Sequence, residues 1–494
     1  MKTVIVGAGF GGLAAAALLA RDGHEVTVLE KNEQAGGRAS VHHDRGFTFD
    51  MGPSWYLMPD VFERFFAEFD TEPADFFELK RLDPSYRIFF GDGTMVDVPS
   101  DTEKTIALFD TFEPEGGDKL RRYLRSAEEL YNLTMNDLLY REYRSVLDFV
   151  SGRLLFQGPK LLHTFEHLDH FVGRYFTSDQ AKKIVQYSIG FLGGAPSNTP
   201  ALYHIMSHID LTLGVFYPEG GIRAVVDAVR RLAEERGAVF RFNEPATRIV
   251  VENDRAVAVE TAESRYPADV VIVNADYAHA ELTLLDPASR TYDAGYWEKR
   301  VLAPSAMVLY IGLNRKVAGL CHHTLVLAKD WEKGFETLFD PEKITWPESP
   351  SYYVNVPSKT DTTAAPPDGE TLFVLVPLAP GLPDTPERRQ ALRDHLISHI
   401  EATIGEPIRD AIVTERCFAL EDFTERYNAY RGTALGLSHT LFQTALWRPA
   451  HRSSRVENLY YSGQFTHPGI GVPMTLISSQ IVARVIGDEQ ARQR

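Results

Sequence analysis

Two cysteines, Cys321 and Cys417, are all that 494 residues contain. Far apart and without a C-x-x-C neighbour, they build neither a disulfide framework nor a zinc site, and read as buried free thiols in a reducing compartment. The sixteen histidines do not group at metal-ligand spacing, so no metal is expected. Basic charge is also in short supply. A formal net charge of −17 argues against nucleic acid as a partner, because phosphate binding needs a basic surface. Long apolar runs are missing too: residues 301–313, broken by Pro304, fall short of the ~18 residues that a spanning helix needs, which leaves only peripheral membrane contact. The first strand begins at Lys2, so no leader peptide is expected ahead of it. A hydrophobic content of 44% with 24% charged residues is that of a globular chain. Its length suggests two or three domains of roughly 100–200 residues.

What is present begins in the first thirty residues. Residues 2–6 (KTVIV) form a β-branched run, and Gly7, Gly9 and Gly12 then give G-x-G-x-x-G. Gly7 turns the chain out of the strand, Gly9 leaves room for a pyrophosphate against bare backbone, and Gly12 lets the next helix pack on the sheet. That helix, about residues 10–21, points its free N–H groups and positive dipole end at the phosphates. Residues 25–29 (EVTVL) return as a second strand. Glu30 follows, placed to accept a ribose hydroxyl, and its charge disfavours a nicotinamide cofactor with a 2′-phosphate. The set reads as a dinucleotide site.

A second glycine-rich turn, Gly36-Gly37-Arg38, supplies a guanidinium that can neutralise the pyrophosphate; the competing reading is a surface turn. Residues 46–53 then alternate like a strand and break at Gly52-Pro53. Residues 101–213 read mainly as helices, with a long amphipathic pattern at 119–139 and many aromatics at core-like spacing. Residues 153–162 (RLLFQGPKLL) are basic and apolar in an acidic chain, the pattern of a cap that touches a membrane surface. From residue 214 the chain returns to the dinucleotide unit, with a helix at 222–236 and short strands at 239–242, 247–251, 256–260 and 270–273. A further insertion at 301–450 carries strands at 307–313, 351–356 and 371–377, followed by a helix near 388–404. Near the end, residues 458–463 enter a Gly-, Pro- and His-rich loop, and Val472-Pro473-Met474-Thr475 opens a helix with proline in its first turn.

G-x-G-x-x-G, Glu30, Gly-Gly-Arg and the Asp50-x-Gly52-Pro53 turn together resemble the FAD domain shared by amine oxidases and carotenoid desaturases. Residues 214–221 (GVFYPEGG), 357–369 (PSKTDTTAAPPDG), 427–437 (YNAYRGTALGL), 439–443 (HTLFQ) and 464–474 (QFTHPGIGVPM) narrow the resemblance to the bacterial phytoene desaturase-type family, over residues 1 to about 487. It implies an α/β fold: a discontinuous Rossmann-like FAD-binding domain (1–100, 214–300 and 451–494) with an inserted substrate domain. That insert combines a helical, membrane-facing cap (101–213) with a sheet-containing part (301–450).

The resemblance also implies non-covalent FAD, an acyclic carotenoid substrate, oxygen or a quinone as electron acceptor, and a peripheral place on the cytoplasmic side of a membrane. Cofactor contacts are expected at Gly7, Gly9, Gly12, Glu30, Lys31, Gly37, Arg38, Ile249, Gly463, Val472 and Met474. The amides of the last helix would face the flavin end that carries negative charge when reduced. Desaturation sends a hydride to the flavin and releases a proton, so the cofactor does the difficult part. Asp148 with Arg153 occupies a position where the family offers an acid and a base, against the alternative of an exposed ion pair. His467 lies in the flavin-facing motif, where a loop-bracing role fits as well. Competing readings are a flavin amine oxidase, a carotenoid isomerase or saturase, and a non-enzymatic isoprenoid escort protein.

Overall fold

A computed structural model describes residues 1–143 and 166–493. Asp148, Arg153 and the basic apolar stretch 153–162 lie outside the described residues.

Five parallel strands make the dinucleotide sheet, in the order Leu459–Tyr461, Val270–Val273, Lys2–Val6, Glu25–Leu29 and Val239–Arg241. The first strand of the chain lies at its centre. A central parallel strand is covered on both faces and so reads as a continuous apolar run, which accounts for KTVIV. Ile5, Val26 and Val28 pack on one face with the helices Phe10–Arg21, Ile222–Glu234 and Val472–Gln493. Val4, Val6, Leu29 and Val273 pack on the other with Ile249 and Val259 of a small antiparallel sheet, Arg248–Glu252, Arg255–Glu260 and Arg265–Pro267. The helix Phe10–Arg21 is buried over eleven of its twelve residues. Its alanines allow the helices on either side to approach closely.

A second, seven-stranded sheet runs in the order Ile412–Phe418, Ser305–Leu313, Glu370–Leu378, Tyr352–Asn355, His323–Leu327, Tyr86–Phe90 and Met95–Val98. Its pairs are antiparallel except that of His323–Leu327 with Tyr86–Phe90. Ser305–Leu313 is buried throughout: Met307, Leu309 and Ile311 meet Leu392, Leu396 and Ile400 of the helix Pro386–Ile404. Ala306, Val308 and Tyr310 face the dinucleotide unit. The apolar run from 301 is therefore a central strand with two covered faces. One boundary moves from the sequence-based expectation. Tyr86–Phe90 and Met95–Val98 belong to this second sheet and not to the dinucleotide unit, because Tyr86, Ile88 and Phe90 alternate inward against its neighbouring strand.

Between residues 101 and 213 the described residues form the helices Thr102–Asp110, Gly116–Leu133, Leu168–Gly173, Asp179–Gln186 and Ile205–His208. Among the described residues, no helix is long and apolar enough to cross a membrane.

Candidate active site

A cavity opens where the two sheets and the helical region meet, lined at one end by the two glycine-rich turns. Gly7 takes a φ of +100°. A Cβ on Gly9 would lie 2.9 Å from Asn274 Oδ1, and one on Gly12 would lie 2.0 Å from the Gly7 carbonyl oxygen. Gly9 thus presents bare backbone to the cavity, while Gly12 sits behind it and lets helix and turn touch. Gly36 donates its N–H to the Ala8 carbonyl at 2.8 Å, and a Cβ on Gly37 would be 3.2 Å from Gly9 Cα. The two turns stack against each other.

Glu30 accepts the Ala8 N–H at 2.8 Å on Oε2, and the Asn32 N–H and side-chain amide at 2.9 and 3.0 Å on Oε1. Burial pushes its carboxyl upward, and these donors oppose the shift. Arg38 is half-buried with its Nε enclosed, lies over the Tyr427 ring at 5.6 Å, and gives the Thr433 carbonyl a contact at 3.4 Å. Its Nε has no partner among the described residues. Burial pulls the guanidinium pKa down, with Asp276 acting against that. A cation with an enclosed, unused donor on a cavity wall is a seat for an anion. Lys31 also borders the cavity, yet its ammonium is engaged by the Glu425 carbonyl and Asn428 Oδ1 at 2.6 and 2.9 Å. Ile249 does not reach the cavity. It sits in the core opposite Val259, and Pro245 and Ala246 form that part of the wall instead. Its position in the middle of a strand buries the side chain toward the sheet.

Asn274, at the end of Val270–Val273, carries more of the site than its sequence context suggests. Its side-chain amide donates to the Ser462 carbonyl at 2.9 Å, and a Cβ added to Gly9, Gly11 or Gly463 would press on it. The last helix is fastened to the first turn by Ser479, whose hydroxyl donates to the Gly11 carbonyl at 2.7 Å. Ser478 receives the Gly463 N–H at 3.0 Å. Gly463, Val472 and Met474 all line the cavity. The free N-terminal amides of Val472–Gln493 therefore border the same cavity as the first turn.

Two buried side chains hold the loop between them. Arg448 donates to the carbonyls of Leu437, Gln443, Gln464, Phe465 and Thr466 at 2.6 to 3.3 Å, and burial lowers its pKa to about 10. His467 places Nε2 3.2 and 3.1 Å from the carbonyls of Leu138 and Leu139, and burial holds its pKa down at about 3. A neutral imidazole donating one N–H to the helical region braces the loop.

The rest of the cavity is mainly apolar, walled by Leu57, Leu192, Ile205, Met206, Val308 and Leu375. One polar chain leads out of it: Ser54 Oγ lies 2.9 Å from the Tyr353 hydroxyl, which lies 2.6 Å from His323 Nδ1. Burial keeps His323 neutral, and its ring stacks on Trp55 at 4.1 Å.

The family model described as flavin containing amine oxidoreductase matches residues 10–487. The chain belongs to this family. Within it, the chain is 48% identical over 489 residues to a carotenoid 3,4-desaturase of Haloarcula japonica, covering 99% of this chain and 98% of that one. It is 33% identical to a zeta-carotene-forming phytoene desaturase of Myxococcus xanthus, covering 97% and 93%. A crystal structure of an oxidoreductase from Methanosarcina mazei shares the fold with a TM-score of 0.63 at 17% identity, covering 98% of this chain and 100% of that one. As a member of this flavoprotein family, the chain has a flavin as its cofactor. The glycine turns, Arg38 and the amides of the last helix fit that group, since together they border one cavity with an anion seat and helix dipole ends.

Proposed function

We propose that the protein is an FAD-dependent desaturase that introduces C=C bonds into an acyclic carotenoid, either along a phytoene-type chain or at the 3,4 bond of a later intermediate. Arg38 carries the reading: a half-buried guanidinium with an enclosed, unused Nε, on the wall of a cavity that is otherwise mainly apolar. It suits a pyrophosphate beside a hydrocarbon. The desaturase names of the relatives support the same reaction. Bound FAD would supply the hydride acceptor. Gly7, Gly9, Gly37 and Arg38 hold the diphosphate, Glu30 the ribose, and Gly463, Val472 and Met474 the other end. Leu57, Leu192, Ile205, Met206 and Val308 exclude water from the polyene. The flanking polyene spreads the positive charge left by hydride loss, so release of the proton from the neighbouring carbon needs no strong protein base. The electrons pass on to oxygen or a quinone, and the protein works peripherally on the cytoplasmic side of a membrane.

Anaerobic mixing with phytoene and with a late acyclic carotenoid tests the proposal. The flavin is expected to bleach with at least one of them, yielding a product two hydrogens lighter. Flavin-loaded protein that bleaches with no acyclic carotenoid would overturn it and favour an isomerase or an amine oxidase.

A further inference from the structure

Few large apolar side chains of the described residues are strongly exposed, and three of them belong to one small surface: Val301 at 42%, Phe442 at 70% and Trp447 at 44%. Phe442 and Trp447 sit on two consecutive turns, Leu441–Gln443 and Ala445–Trp447, with ring centroids 6.3 Å apart. Gln443 ties Val301 to them. Its Oε1 accepts the Val301 N–H at 2.9 Å, and its Nε2 donates to the carbonyls of Val301 at 2.8 Å and Ser438 at 3.1 Å. The exposure is therefore built by a buried glutamine and is not a frayed loop.

The same turns form the cavity wall from the other side. Thr444 and Ala445, between the two aromatics in sequence, line the cavity, and Thr444 Oγ1 lies 3.3 Å from the cavity-lining hydroxyl of Tyr203. Here the wall is one turn of chain thick, with apolar rings outside and the substrate space inside. Lys299 and Arg300 adjoin Val301 in sequence, and Glu298 precedes them.

We infer that Val301, Phe442 and Trp447 form a tip that inserts into the surface of a lipid bilayer, and that substrate enters past Thr444 and Ala445. The inference rests on the carotenoid reading of the cavity, and what commits the patch to lipid is its continuity with that cavity. An exposed apolar patch marks an interaction surface. An aromatic pair that includes tryptophan suits the headgroup boundary, and a long hydrocarbon that moves directly from lipid into the cavity never crosses water. This tip lies apart in sequence from residues 153–162, where the composition pointed to membrane contact.

The test uses flavin-loaded full-length protein with phosphatidylcholine and phosphatidylglycerol vesicles, with and without brominated acyl chains. Bromolipids are expected to quench wild-type tryptophan fluorescence, and Trp447→Phe should remove most of that quenching. A Phe442→Ser/Trp447→Ser double variant should lose about tenfold in vesicle binding and in rate on vesicle-borne carotenoid, while its flavin content and its rate on detergent-dispersed carotenoid stay at wild-type values. Equal quenching in wild type and Trp447→Phe, or full flotation of the double variant, overturns the inference. So does a wild-type dimer that the double substitution splits without altering vesicle binding, since the patch would then join two copies. Trp447-dependent quenching in a protein that desaturates nothing upholds the tip and overturns only the desaturase reading.

Discussion

His439 Nε2 accepts the backbone N–H of Ile470 at 3.1 Å. An amide can only donate, so the imidazole proton of neutral His439 resides on Nδ1, where the Tyr203 hydroxyl meets it. Burial, with Arg448 and His467 nearby, holds His439 in the neutral form. The ring also fills the space beside Gly469, where a Cβ would lie 2.4 Å away. One side chain thus fixes the turn that leads into the last helix.

His439→Gln keeps an acceptor near the position of Nε2, whereas His439→Leu leaves a buried amide unpaired at a cost of about 1–3 kcal/mol. The leucine variant should therefore unfold at a lower temperature and retain less flavin than the glutamine variant. Thermal melts with absorbance at the flavin band check this, and equal behaviour of the two would refute the assignment.

The second and third glycines of the first motif should fail differently. Gly9→Val meets only the movable end of Asn274 and points toward the cavity, so it should yield folded protein without flavin. Gly12→Val collides with the Gly7 backbone at 2.0 Å and should yield little folded protein at all. Circular dichroism and flavin stoichiometry separate the outcomes. Stoichiometric flavin in Gly9→Val would contradict the placement of the diphosphate.

Asp210 makes stability depend on pH. Its Oδ2 accepts the hydroxyls of Tyr86 and Tyr187 at 2.8 and 2.9 Å, Oδ1 has no partner among the described residues, and burial pushes the carboxyl up to about 7. An unfolded aspartate titrates near ~3.9, so between these values the folded state holds the extra proton and stability falls as pH rises. The loss is complete above about 7 and absent below about 4. Asp50, which accepts the Ile222 and Arg223 N–H groups at the start of the helix Ile222–Glu234 and is also raised to about 7 by desolvation, adds a slope of the same sign. Asp210→Asn should remove part of the decline in denaturant midpoint from pH 4.5 to 8, and an unchanged slope would show that Asp210 does not hold the proton.

The first thirty residues were readable because every signal in them is local: a strand, a turn that needs glycine, a helix, a strand and an acid follow without interruption. The same holds for Arg38 and for the proline-opened helix at Val472. Asn274 was visible only as a polar end to an apolar strand. Its role comes from Gly9, Gly11 and Gly463, which reach it from the two ends of the chain. Tyr203 and His439 are likewise joined only by folding. Alternation in Tyr86–Phe90 and Arg248–Glu252 shows that one face is buried, but not against what, so the sequence alone places residues 86–98 within the dinucleotide unit and Ile249 among the cofactor contacts. The readable part is thus the scaffold of the cofactor turn, and what brings its far ends together is not written locally.

The dinucleotide sheet joins early and late segments of the chain, with Val270–Val273 paired to Lys2–Val6 on one side and to Leu459–Tyr461 on the other. Strands at Lys2–Val6 and Glu25–Leu29 leave the ribosome first, yet Leu459–Tyr461 closes the sheet edge beside Val270–Val273, and Ser479 ties the last helix to Gly11. Without Leu459–Tyr461 and the helix behind it, Val270–Val273 would be an edge strand and the first turn would lack its tie to Ser479. A chain cut short of residue 459 would lack both the strand beside Val270–Val273 and the helix fastened to Gly11, and should bind flavin poorly.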